Sequence, residues 1–502
     1  MQFPIVDLLA KRAELSPDRV ALEDLQRGTR LSFLQLEQHA ARCAGMLAAL
    51  GVVAGDRVAV LCRNRPAFFE LLFACGKLGA ILVPLNWRMP AAELAGLVKD
   101  CEPGVLLHGD EDRDVAAAAC PASVPSLNLD SPGPDGFCAR RDASHTCRGR
   151  GTWEASEIWY LLYTSGTTGQ PKAVIQTYGM ALANYINVSQ AMGLRTTDTT
   201  LCYLPMFHTA GINLVALPTL IDGGTVLILP GFEIEHLMDL IGAGRLDNFF
   251  AVPNIYQSLS QHPRFDQIDL SSVRSWGCGG AALPTHLIRE FARRGARVKN
   301  GMGMTETGPT VFLMDEASVT EKIGSVGKPQ LLSEARIVDA EGHDVDQDET
   351  GELWFAGPGI TPGYWRRPDA TARAFSVDGW LRSGDLARRD ADGYYYIVGR
   401  IKEMYISGGE NVYPAEVEKV LASHPDVMES AVVAMHDPRW GEVGCAFLLP
   451  GPNGALPAAE ALTAFCRQRL AAYKIPRRFI EVSDFPRTAA GKVQKHLLKA
   501  ER

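Results

Sequence analysis

Short apolar runs alternate with amphipathic stretches through the first half of the chain. "DRVAVLC" (56–62) leads to "RPAFFELLFACGKLGA" (65–80), then to "ILVPL" (81–85), "AAELAGLVKDC" (91–101) and "GVLLHG" (104–109). Aliphatic runs separated by stretches of helical period predict strand–helix–strand units, hence a parallel or mixed sheet covered by helices. The rhythm returns in "TVLILP" (225–230), "EIEHLMDLIGAGR" (233–245) and "NFFAVP" (248–253). Residues 110–150, rich in Ala, Pro, Ser, Asp and Cys, show no such period and predict a surface connection.

Beyond residue 350 the pattern changes. "GELWFAG" (351–357), "WLRSGDLARR" (380–389) and "YYYIVGR" (394–400) read as strands of a β-rich subdomain, with "DADG" (390–393) as the turn between the last two. After "GRIKEM" a compact α+β pattern begins, with "AEVEKVLASH", "ESAVVAM" and "AEALTAFCRQRLAAY". At 502 residues the chain exceeds what one core holds. The expected fold class is α/β. A large N-terminal domain spans 1–399, a hinge 400–402, and a small mobile α+β C-terminal domain 403–502.

Composition narrows the function classes. A net charge of -8 argues against a chain whose main task is binding nucleic acid. The eleven cysteines include no C-x-x-C pair, so they read as free thiols of a reducing compartment. "MQFPIVDLLAKRAELSPDRV" reads as a first helix and not a signal peptide. No run approaches the ~20 apolar residues of a membrane span, which leaves the cytoplasm as the expected location. Oligomeric state stays open, with a homodimer as one option.

"YTSGTTGQPK" (163–172) follows the apolar run "IWYLL". Its glycines let backbone N–H groups converge, its hydroxyls add donors and Lys172 adds charge, which together predict a polyphosphate cradle. The P-loop spacing fails, Pro171 sits beside the lysine, and no helix starts there, so the stretch reads as a flap over phosphates. "GCGGAA" (277–282) imitates a dinucleotide fingerprint, but residues 291–305 hold no acid for a ribose. A hydrolase nucleophile elbow and transition-metal motifs are absent.

In order, "YTSGTTGQPK", "NGMGMTETG" (300–308), "GELWFAGPGITPGYW" (351–365), "WLRSGDLARRDADGYYYIVGRIKEM" (380–404), "SGGENVYPAEVE" (407–418) and "PRTAAGKVQK" (486–495) resemble the adenylate-forming superfamily. Within it, the chain looks like the acyl- and aryl-CoA synthetases. The resemblance implies that a small-molecule carboxylic acid reacts with ATP and Mg2+ to give an acyl-adenylate and pyrophosphate, and that the acyl group then passes to coenzyme A.

It also implies residue roles. Thr164, Ser165, Gly166, Thr167, Thr168, Gly169 and Lys172 would hold phosphates. Glu306 would be the magnesium ligand, and Thr305 would bond phosphate oxygens. Asp385 would accept the ribose hydroxyls, aided by Arg400. Lys492 would reach the substrate carboxylate and α-phosphate, and Lys402 would be the hinge for domain alternation. His208 in "PMFHTAG" falls between carboxylate and CoA channel.

Thr209 to Leu214, Gly277 to Ala282 and Gly303 to Val311 would line the acyl site, where small Ala210, Gly211, Gly279, Gly280 and Ala281 leave room for a flat ring or slender chain. No Arg or Lys in those stretches awaits a second carboxylate, which counts against malonate-like substrates. Asn300, Gly301, Met302 and Gly303 would contact the nucleotide, with Met302 replacing the aromatic residue on which adenine often stacks. Gly408, Gly409, Trp440 and Tyr473 would contact CoA. Residues 474–502 carry eight Lys or Arg against three acids, which suits its phosphates.

"PLNWRM", "EKIGSVGKP" and "HDPRWGE" look most like bacterial feruloyl-CoA or related aryl-CoA synthetases. A medium- or long-chain fatty acid ligase is the alternative. An adenylation protein loading a carrier is another, disfavoured because no carrier domain follows Lys492.

Overall fold

The computed structural model describes residues 4–164, 171–451, 454–487 and 493–498. Within them two large helix-covered sheets are followed by a four-stranded antiparallel sheet and a C-terminal α+β sheet. The first large sheet runs Lys172–Thr177, Ile158–Thr164, Ile81–Pro84, Arg57–Leu61, Val105–His108, Ser126–Asn128. All its pairings are parallel except the first. Strands buried on both faces explain why these segments read as unbroken aliphatic runs. Helix Pro66–Leu78 starts on its proline and stops at Gly79, whose φ of 70° is the left-handed conformation that closes a helix without a Cβ penalty.

The second sheet has nine strands, with parallel Val298–Met302, Ser275–Cys278, Asn248–Ala251, Thr199–Cys202 and Thr225–Ile228 at its centre. Val20–Asp24 adds to Thr225–Ile228 in parallel, so the N-terminal segment completes a sheet whose other strands lie far along the chain.

Residues 110–150 depart from expectation. Arg113–Ala119 and Phe137–Ala143 are helices, and Ser126–Asn128 extends the first sheet beside Val105–His108. Leu127 and Phe137 are buried. Arg141 donates to the buried carboxylate of Glu70 at 2.9 Å. Elements of three to seven residues are too short to display a period, and the Ala-rich helix has no strong apolar stripe.

In the antiparallel sheet, Leu381–Arg389 pairs with Tyr395–Arg400. Their turn closes with the Gly393 N–H donating to Asp390 O at 3.0 Å. One 3-10 turn, Ile401–Glu403, separates this sheet from Tyr405–Ser407, the first strand of the C-terminal sheet. There Val427–Asp437 and Gly441–Pro450 form a long hairpin, covered by helices Pro414–Leu421 and Ala459–Arg467. Val417, Leu421, Val432, Leu448 and Leu462 share its core. No helix of the described residues is long and apolar enough to cross a membrane. All eleven cysteines are free thiols.

Candidate active site

The phosphate-cradle candidate joins two antiparallel strands, with Thr164 opposite Lys172 in register. The flanking elements are therefore the two strands of a hairpin, not the strand and helix that flank a P-loop. Thr164 and Lys172 frame it; Ser165, Gly166, Thr167, Thr168 and Gly169 lie outside the described residues, as does Lys492. Lys172 Nζ sits 5.0 Å from the Tyr364 ring centroid. The Tyr364 hydroxyl donates to Glu306 Oε1 at 2.9 Å.

Glu306 occupies the tight turn Thr305–Thr307 just after strand Val298–Met302. Gln176 Nε2 donates to Thr305 O at 2.9 Å, and the Thr361 N–H donates to Glu306 O at 2.8 Å. Three residues from two segments thus pin one turn. Gly303 makes the turn possible, because a Cβ there would lie 1.4 Å from Pro309 O. Burial pushes the Glu306 carboxyl up from its usual range, against the opposing pull of Arg400 and Lys172.

Asp385 and Arg400 face each other across adjacent strands, with Nε to Oδ1 at 2.9 Å. Asp385 is buried and Arg400 exposed, so the pair presents a fixed carboxylate at the lip of the site. Asp385→Asn keeps the shape and removes the charge. If Asp385 accepts the ribose hydroxyls, as the resemblance implies, losing a charged acceptor costs roughly 1.5–3 kcal/mol, and KM for ATP is expected to rise about tenfold or more with kcat less affected. Steady-state kinetics over a range of ATP concentrations check this.

The structure brings Lys172, Thr305, Glu306, Asp385 and Arg400 into one region. Tyr364 and Gln176 join them; the sequence had carried Tyr364 inside "PGYW" without a role. Met302 packs at the edge of the cluster holding Phe312, Phe355 and Tyr395. Asn300 and Gly301 lie inside strand Val298–Met302, and buried Asn300 Oδ1 has no hydrogen-bond partner among the described residues.

Among the residues expected on the acyl side, the Phe207 and His208 rings lie 4.6 Å apart. Burial and the positive charge of Arg88 lower the His208 imidazole to about 4. It is therefore neutral at pH 7, with Nε2 unpartnered among the described residues. Gly277 and Gly279 do not leave open space. A Cβ at Gly277 would sit 2.4 Å from the Phe250 ring, and one at Gly279 3.1 Å from it. The absent side chains admit Phe250, which clusters with Val188, Met192, Leu214, Val215 and Leu313. Gly280, in the left-handed region, and Ala281 are exposed beyond it. Phe250 was legible only as one aromatic residue of a buried strand.

In the C-terminal sheet, Gly408 has φ 62°, and a Cβ on it would meet the Trp440 ring at 2.5 Å. Gly409 has nothing within 4 Å of that position. Arg477 lies 5.8 Å from the Trp440 centroid, and half-buried Tyr473 packs on the domain core. Lys402 is exposed in the turn Ile401–Glu403. The basic surplus is smaller than the count suggests. Lys474 pairs with Glu416 at 2.8 Å, Arg487 with Glu429, and Lys495 with Glu403 and Glu418 at 2.6 and 2.8 Å. Acids earlier in the chain neutralise these three cations, which a count over 474–502 omits.

Among the described residues no group of three or more His, Cys, Asp or Glu is arranged to hold a metal. Magnesium does not require one, since it is commonly held by one or two carboxylates, substrate phosphates and water. A buried carboxylate raised by desolvation beside the phosphate-loop frame fits that role, and the ion would neutralise phosphate charge.

A candidate phosphate loop framed by Thr164 and Lys172, a buried acid and an Asp–Arg pair on a neighbouring sheet are the arrangement expected of a nucleotide-using enzyme that activates acids. The chain belongs to the AMP-binding enzyme family: that family's model matches residues 9–365, and the model of its C-terminal domain matches 416–492. It is 40% identical to a feruloyl-CoA synthase of Amycolatopsis over 97% of this chain and 96% of that protein. It is 33% identical to a long-chain-fatty-acid–CoA ligase of Mycobacterium tuberculosis, over 98% and 97% respectively. The solved o-succinylbenzoate CoA synthetase of Bacillus subtilis, bound to its acyl-adenylate intermediate, superposes with a TM-score of 0.89 at 31% identity over 100% and 99% of the two chains. The chain is an AMP-forming acid–CoA ligase that uses ATP, Mg2+ and CoA.

Proposed function

We propose that the acid is an aryl or hydroxycinnamic acid such as ferulate. The observation that carries this choice is the 40% identity to a feruloyl-CoA synthase along almost the whole chain. An acyl region floored by Phe250 against glycine backbone is compatible with a flat ring. The fatty acid ligase relative, at lower identity, supports the alternative of a medium- or long-chain fatty acid.

The residues divide the work by charge. The loop 164–172 and Lys172 hold the β and γ phosphates, and Glu306 carries the magnesium ion that neutralises them. Thr305 adds a hydroxyl toward the same oxygens. Asp385 accepts both ribose hydroxyls while Arg400 fixes its orientation. Asn300 to Gly303 lie along the nucleotide.

Neutral His208 offers a hydrogen bond near the reacting carboxylate without a second positive charge. Lys492 joins carboxylate and α-phosphate in the first step, where anionic reactants must be brought together. The domains divide at 400–402, and Lys402 is the hinge about which residues 403–502 turn. That turn withdraws Lys492 and brings Gly408 and Gly409 toward the adenylate, with Trp440 and Tyr473 along the CoA path.

The test is pyrophosphate release with cinnamic, benzoic and C4 to C18 acids. Because contacts to a recognised ring change discrimination by factors of ~10 or more, hydroxycinnamates are expected to exceed C8 to C16 acids at least tenfold in kcat/KM. The reverse order would assign the fatty acid reading.

A further inference from the structure

Beside the apolar cluster around Phe250 lies a pocket open to solvent, of about 680 Å3, within the range of small-molecule sites. Arg195, Arg274, Lys299 and Lys328 line it, against two carboxylates, Asp315 and Glu316. Met192 and Leu313 belong both to its wall and to the Phe250 cluster. The Met192 sulfur would also lie 3.3 Å from a Cβ at Gly277. These two side chains therefore stand between the acyl region and the cavity, and an unbranched thioether is easily displaced.

Lys299 is the unusual member. Its residue is 5% exposed, in a strand of the central sheet. Nζ donates to Ala191 O at 2.8 Å and to Ser275 Oγ at 2.7 Å. It forms no ion pair among the described residues. An ammonium has three donors, so one is left without a partner there. The Glu316 carboxylate on the same wall attracts this cation without closing an ion pair, so the ammonium stays costly unless something anionic or strongly accepting arrives. Burial lowers this ammonium from its usual range to about 8.

We propose that Lys299 recognises an oxygen at the far end of the acyl substrate, either a phenolic hydroxyl or a second carboxylate, reached past Met192 and Leu313. This rests on the acid–CoA ligase reading and names the chemistry of the substrate's remote end. It also amends the sequence argument against a second acidic group, since Lys299 lies four residues before Gly303, outside the stretches that argument covered.

The test compares cinnamate, 4-methylcinnamate, 4-hydroxycinnamate and 4-carboxycinnamate on the wild type and on Lys299→Met. The wild type is expected to prefer an oxygenated acid by about tenfold or more in kcat/KM, chiefly through KM. The methyl-bearing and hydroxy-bearing acids separate a steric from a polar preference, and the hydroxy and carboxy arms identify which oxygen is recognised. In Lys299→Met the preference is expected to fall to about twofold, with cinnamate itself turned over as before.

An equal preference in wild type and variant, or no preference in the wild type, would overturn the proposal. Absence of thioester from every acid would instead overturn the ligase reading. Met192→Ala leaves Lys299 in place and serves if Lys299→Met does not fold. It is expected to shift the preference toward acids whose remote oxygen lies farther from the reacting carboxylate, and an unchanged order would count against the proposal.

Discussion

Glu306→Gln is expected to lower kcat/KM for pyrophosphate release by roughly 10^3-fold, the scale of removing one preorganised electrostatic group from a charged transition state. Gln keeps a carbonyl oxygen that can accept the Tyr364 hydroxyl, so the turn at Thr305–Thr307 keeps its supports from Gln176 and Thr361. The variant also separates function from folding.

Burial raises the Glu306 carboxyl in the folded protein, so its contribution to stability is fully present below its unfolded value. That contribution is lost as pH rises through the folded one. Above the unfolded value the group is therefore a net cost to the unliganded fold, and Gln removes it. Thermal unfolding should show an unchanged or raised Tm without nucleotide, together with loss of the added stability that Mg·ATP gives the wild type. A Tm lowered by several degrees, with Mg·ATP stabilisation intact, would make Glu306 a structural residue.

Lys492→Ala is expected to abolish adenylate formation while leaving thioester synthesis from supplied acyl-adenylate largely intact. The reason is electrostatic and temporal. A carboxylate and the α-phosphate are both anionic when they meet, so losing their shared cation costs roughly 10^2–10^3-fold in that step. The second step starts from an adenylate whose bond is already made. Single-turnover measurements of each half-reaction distinguish the two, and equal loss in both would refute the assignment.

Periodicity made the strand–helix–strand units legible. Arg57–Leu61 and Pro66–Leu78 announce themselves because buried parallel strands are aliphatic throughout and the helix between them is bounded by Pro66 and Gly79. The same signal failed over 110–150. Its strand is held by pairing with Val105–His108, and Arg141 is fixed by Glu70, partners 71 positions apart.

The site followed a similar division. Motif order pointed to Glu306, Asp385 and Arg400, which the fold gathers. The supports of the turn came from Gln176, Thr361 and Tyr364, whose meaning lies in contacts between segments. Gly279, Gly280 and Ala281 suggested open space, whereas the fold packs Phe250 against Gly279. Lys299 looked like any lysine until the strand carrying it proved buried beside a cavity. The basic count over 474–502 overstated free charge because Glu403, Glu416, Glu418 and Glu429 lie outside that window.

The most direct measurement follows ATP, AMP, pyrophosphate and thioester together in one reaction with ferulate, with and without CoA. Without CoA, release of pyrophosphate is expected to stop near one equivalent per active site as the adenylate stays bound. With CoA, turnover should continue and yield AMP, pyrophosphate and feruloyl thioester in equal amounts. ADP in place of AMP, or pyrophosphate release that does not depend on an acid, would contradict the two-step ligase chemistry.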